Sequence, residues 1–177
     1  QMAQDALDRL IVEKRRVQNE NVDLCIPEQL FDIVLFGWAT VAGELRVAQN
    51  RMRELVDLAI EEAKHDIATI GAMPKESKST AGPQKPFMSQ PTVDLFNTYL
   101  RGLSNAAKLT PQAAVNAEAM LYEMTEYNRT LQWHTKPNSR SYNQVISAFA
   151  NTGHAGAGER ALNVLRRMQQ VHETEKQ

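Results

Sequence analysis

Apolar residues recur along this chain at spacings of three and four, the period of a helix buried on one face. Ala3, Ala6, Leu7, Leu10 and Ile11 form a first stripe, and Lys14, Arg15 and Arg16 follow where cations suit the C-terminal end of a helix. Pro27 predicts a fresh helical start, followed by Leu30, Phe31, Val34, Leu35, Trp38 and Val41. Gly43 allows a corner. A long third helix is predicted to carry Leu45, Ala48, Met52, Leu55, Leu58, Ala59 and Ala63.

The pattern resumes at Val93, Phe96, Tyr99, Leu100 and Leu103. Pro111 opens a helix with Ala114, Ala117, Met120, Leu121 and Met124. A loop through Pro137 leads to Tyr142, Val145, Ile146 and Phe149. After Gly153, Gly156 and Gly158, a last helix carries Ala161, Leu162, Leu165 and Met168. No stretch alternates with period two and no Asn-Gly or Asp-Gly hairpin signal occurs, so no strand is predicted. The expected fold class is all-α, with about seven helices.

Residues 71–91 differ in kind, with Gly71, Pro74, Gly82, Pro83, Pro86 and Pro91 among serines and Thr80. They read as a flexible linker or long loop. The organisation expected is therefore helical hairpins over 1–70, a linker over 71–91, and two further hairpins over 92–177.

Charge changes this picture little. The chain has 20 basic and 21 acidic side chains, so no global field draws it to nucleic acid. The halves differ, however: residues 1–92 hold 11 basic and 14 acidic side chains, and residues 93–177 hold 9 and 7. The single Cys25 excludes an intramolecular disulfide and a multi-cysteine metal site, which suggests an intracellular compartment. No apolar run approaches the ~18 residues of a membrane span, so no membrane partner is expected. No targeting segment is visible at the start.

Two segments resemble each other. Pro91, Phe96-Asn97, Ala117 and Met124 correspond to Pro137, Tyr142-Asn143, Ala161 and Met168. The two Asn residues are 46 apart and the two Met residues 44 apart. A weaker upstream copy runs through Pro27, Phe31, Trp38, Ala48 and Leu55. The helix over 2–19 then reads as the second helix of a still earlier unit, which predicts that this sequence is a piece of a longer one.

This unit resembles the pentatricopeptide repeat, a helical hairpin of roughly 35 residues. Lys136-Pro137-Asn138, Ser141-Tyr142-Asn143, Val145-Ile146, Gly153, Ala161 and Met168 carry the resemblance. The copy over 91–124 matches less fully, and the copy over 27–55 only in its apolar skeleton. The longer spacing suggests a divergent lineage. The resemblance implies an α-solenoid whose first helices line one concave surface. It implies single-stranded RNA as partner, read at about one base per repeat, in a mitochondrion or plastid.

The family's base-reading positions fall on Asn97 with Asn138, a pair resembling a pyrimidine reader, and on Asn143. The position that sandwiches the base falls on Asp94 and Arg140. Arg140 can stack on a base, whereas Asp94 repels phosphate. In the upstream copy the Asn position is counted at Ile33, which has no hydrogen bond to offer. The alternative is a protein-interaction scaffold without RNA readout, favoured by the near-neutral charge, Ile33 and Asp94.

Phe96, Tyr142, Trp38 and the methionines Met52, Met120, Met124 and Met168 are expected in the core, and Lys64, Arg160, Arg166 and Arg167 on solvated faces. Glu62 and His65 have the spacing of half a di-iron motif, but the second copy such a site needs is missing. Trp133-His134, His154 and His172 show no ligand spacing. The glycines near 153–158 follow no strand and precede no Gly-Lys-Ser, so they read as a corner, not a phosphate loop. No nucleophile motif or catalytic carboxylate pair is present. No enzyme activity, cofactor, metal or small-molecule substrate is expected.

Overall fold

The computed structural model describes residues 2–17, 28–72 and 90–174. These form seven helices and no strand: α1 (Met2–Val17), α2 (Glu28–Val41), α3 (Val47–Ala72), α4 (Val93–Ala106), α5 (Gln112–Leu131), α6 (Ser139–Thr152) and α7 (Ala157–Thr174). The fold class is all-α. Cys25, Pro27 and residues 73–89 of the expected linker lie outside the described residues. The helical part of the chain reaches further than the linker reading allowed, since α3 runs through Gly71 to Ala72.

The helix boundaries follow local chemistry. Asn138 has extended backbone and caps α6: its side chain accepts from the Ser141 backbone N–H at 3.1 Å, and Ser141 Oγ accepts from the Asn138 N–H at 3.1 Å. This reciprocal box satisfies two of the four donors every helix start leaves unpaired. Gly153 closes α6 with φ +63°, a left-handed conformation that glycine reaches without strain. Gln132 takes the same conformation after α5 at φ 55°.

The helices pair as α2/α3, α4/α5 and α6/α7. The first helices lie side by side in the order α2, α4, α6, with α4 central. Each second helix also packs on the next first helix, α3 on α4 and α5 on α6, and α1 packs on α2 in the same manner. This is a repeat-like arrangement of helical hairpins. One continuous core runs through it, including Phe31, Leu35, Met52, Phe96, Leu100, Met120, Met124 and Tyr142. Trp38 and Met168 pack against that core without full burial.

Three expectations for single residues fail. Leu45 precedes α3 and is exposed, because the corner after Gly43 ends only at Arg46. Leu162 and Leu165 on α7 stay 43% and 39% exposed, and of that helix only Val164 is buried.

An internal repeat of hydrogen bonds ties the first helices together. Asn105 Nδ2 donates to the Ala39 carbonyl at 3.1 Å, and Asn151 Nδ2 donates to the Ser104 carbonyl at 2.9 Å. Each acceptor lies in the last turn of its helix, where carbonyls lack an intrahelical donor. Asn105 and Asn151 are again 46 residues apart.

These bonds set the register of the upstream copy. Ala39 and Ser104 are 65 residues apart, as are the starts of α2 and α4, so Phe31, Phe96 and Tyr142 are counterparts. The counterpart of Asn97 is then Asp32, not Ile33. The sequence spacing shows why: Pro27 precedes Phe31 by four residues, whereas Pro91 and Pro137 precede Phe96 and Tyr142 by five.

The second helices are joined by charge. Arg53 on α3 donates to both carboxylate oxygens of Glu123 on α5, at 3.1 and 3.2 Å, and to Asp57 at 3.0 Å. Tyr99 of α4 lies buried beside this cluster, and burial pushes its hydroxyl up to about 12. A phenol raised above its ordinary value near 10 contributes stability in full below pH 10, and that contribution fades as pH rises towards 12. Alkaline unfolding of Tyr99→Phe, followed by circular dichroism, should therefore fall less steeply over this window than that of the unsubstituted chain.

Candidate functional site

The expected site residues gather where α4 meets α6. Asn97 Nδ2 approaches Asn138 Oδ1 at 3.5 Å, and Ser141 Oγ donates to Asn97 Oδ1 at 2.7 Å. On the exposed side of the same junction, Arg140 lies 4.0 Å from Asp94, with 58% and 83% of their side chains exposed. Asn97, Asn138, Arg140 and Asp94 are thus brought together by the packing of two helix starts.

They are not equally accessible. Asn97 is 1% exposed. Expected on the groove, it lies instead inside the junction, with its oxygen committed to Ser141, because the next hairpin's capping box covers it. Asn138 and Arg140 are exposed. Asn143, the counterpart of Asn97, is exposed and its amide carries no hydrogen bond among the described residues, where no further helix start packs on α6.

At the upstream junction the pattern breaks. Asp32 holds the place of Asn97, and its Oδ1 is buried without a hydrogen-bond partner. The residue matching Ser141 is Leu95, which has no hydroxyl to give. The positions of the Asn–Ser pair are therefore held here by Asp32 and Leu95.

Asn138 also lines a pocket of about 570 Å³ with Lys136, Pro137, Tyr142, Leu165 and Met168. The incompletely buried α7 forms one wall of this pocket, so an apolar side chain or a base face could rest there with Asn138 at its edge.

Lys64 and Arg160 are exposed, as expected, and Arg167 is half-buried; all three meet aromatic rings across helix junctions. Arg167 stacks on Tyr122 at 4.0 Å, Arg160 lies over Phe149 at 5.2 Å and pairs with Glu118 at 3.1 Å, and Lys64 lies over Tyr127 at 5.6 Å. A fourth such contact joins the first helices: the Arg101 guanidinium of α4 lies 4.3 Å from the centre of the Phe36 ring of α2. Sequence spacing did not reveal it. The only available signal was that Phe36 lies off the apolar stripe of its helix.

No described group of three or more His, Cys, Asp or Glu side chains can hold a metal ion. No helix among the described residues is long and apolar enough to cross a membrane. Comparisons with family models, with curated proteins and with solved structures returned no match to this chain.

Proposed function

We propose that this chain is an α-solenoid of the pentatricopeptide-repeat kind that binds single-stranded RNA along the exposed faces of α2, α4 and α6. In this reading it acts in RNA processing, stability or translation in a mitochondrion or plastid, as a binding protein and not an enzyme. The observation that supports it is the junction of Asn97, Asn138 and Arg140. Asn97 and the Asn138–Arg140 segment, 41 residues apart, hold positions that the family resemblance singles out, and they meet at one helix–helix boundary.

The burial of Asn97 refines the roles. Asn138 and Asn143 offer amides to a base edge, since an amide both donates and accepts. Asn97 and Ser141 hold Asn138 in place. Arg140 stacks on a base or contacts phosphate once Asp94 releases it, a small cost for an exposed pair.

Binding to a panel of single-stranded RNA oligonucleotides tests this. Asn143→Ala should weaken binding several-fold, the loss of about 1 kcal/mol expected for one hydrogen-bonded contact, with unchanged helicity. Wild-type affinity and base preference in this variant would remove Asn143 from the site.

A second reading, a protein-interaction scaffold, draws support from the pocket beside Asn138 and from exposed Leu162 and Leu165. Crosslinking the full-length protein in cells separates the two. Recovery of specific transcripts supports RNA binding, and recovery of protein partners without RNA supports the scaffold.

A further inference from the structure

The exposed stripe of α4 contains Asp94 and, two turns on, Arg101. Asp94 reaches across to Arg140 of α6, and Arg101 reaches across to Phe36 of α2. These two contacts make the outer faces of the three first helices one continuous surface. Their chemistry differs. Arg140 faces a carboxylate, whereas Arg101 lies over a ring, and its Nη2 is buried without a hydrogen-bond partner among the described residues. Arg101 is half-buried, and it makes no ion pair among the described residues.

The surroundings are open and apolar. Phe36 is 51% exposed and Ile33, one turn before it, is 60% exposed. Beside the ring, a methyl group added at Gly37 would meet no atom within 4 Å. Glycine inside a helix lowers stability, and here no close approach of another element requires it. The result is a flat apolar floor with a fixed planar cation at its edge. A π-face and an adjacent anion recur together in a polynucleotide strand, where bases stack on aromatic rings and phosphates follow at each step.

We propose that Arg101 stacked on Phe36 is a sequence-independent anchor for single-stranded RNA, in which the guanidinium takes a backbone phosphate and the exposed ring with Ile33 takes a base face. The proposal rests on the RNA-binding reading above and adds a different kind of contact to it. The upstream hairpin, where Asp32 and Leu95 replace the Asn–Ser pair, contributes affinity without selecting a base. Stacking tolerates every base, and a phosphate contact carries no sequence information.

The test measures binding of oligo(U) and oligo(A) RNA over a salt series for the full chain and four variants. Arg101→Gln should weaken both RNAs equally, by about tenfold, and should reduce the slope of log affinity against log salt by about 0.7. Arg101→Lys, which keeps the charge but not the planar stack, should preserve the slope and lose part of the affinity. Phe36→Ala should weaken both RNAs by about tenfold with less change of slope than Arg101→Gln.

Arg167→Gln removes a similarly stacked arginine from the second helices and should change neither affinity nor slope. Thermal unfolding of each variant shows whether the fold is retained. An Arg101→Gln variant that keeps wild-type affinity and slope, while the unsubstituted chain binds RNA, overturns the anchor and leaves the RNA-binding reading standing. A folded chain that binds neither RNA, or whose Arg101 instead governs binding of an oligo-aspartate peptide, overturns both.

Discussion

Trp133→Ala is expected to lower the stability of the chain by about 3–5 kcal/mol, the range for emptying a large aromatic site in a packed core. Trp133 is fully buried although it lies in the loop between α5 and α6. Its ring centre is 5.6 Å from that of Tyr127, which in turn lies 6.1 Å from Phe96. The loop is fastened around it: Asn128 Nδ2 donates to the Trp133 carbonyl at 2.6 Å, and the buried Thr135 hydroxyl donates to the Met124 carbonyl at 2.9 Å.

Removing the indole would leave a cavity that this anchored backbone cannot easily close. Trp133→Phe should cost less, since the indole Nε1 is itself buried without a partner and its loss relieves an unmet donor. Urea unfolding followed by circular dichroism measures both. If Trp133→Ala shifts the midpoint no more than a surface substitution does, the loop is not part of the core.

Asn97→Ala is expected to cost about 1 kcal/mol, the net contribution of a typical hydrogen bond, because it removes the shortest one inside the α4/α6 junction. The Ser141 hydroxyl would lose its 2.7 Å acceptor, and the Asn138 side chain would lose its neighbour at 3.5 Å. A double-mutant cycle with Ser141→Ala isolates the pair. Removing both partners should cost less than the two single losses summed, since each single substitution already removes the bond they share. Asn143→Ala, at the exposed counterpart, should leave stability unchanged. If instead Asn97→Ala retains full stability while RNA affinity falls, Asn97 faces a base and the junction opens to admit it.

Much of this molecule is legible in its sequence. The apolar stripes identify all seven helices, because helical periodicity is a local property that the chain carries wherever it folds. Phe96, Tyr142, Met120 and Met124 lie on those stripes and are buried. Pro111 and Gly153 mark helix ends because backbone freedom is also local. Asn105 and Asn151 share the 46-residue spacing of Asn97 and Asn143, so their common role was present in the pattern too.

Tertiary structure decided the rest. Asn97 and Asn143 look alike in sequence, yet one is covered by Ser141 and the other is open, because their difference depends on which helix packs beyond each. Whether Ile33 or Asp32 matches them depends on the register of α2 against α4, which the carbonyl of Ala39 reveals by accepting from Asn105. Trp133 lies in a loop and outside every helical stripe, so only the packing of Tyr127 and Phe96 places it in the core. Arg101 and Phe36 are 65 residues apart on different helices. Each helix alone presents one as an ordinary outward-facing side chain, and only the side-by-side packing of α2 and α4 stacks the charge on the ring.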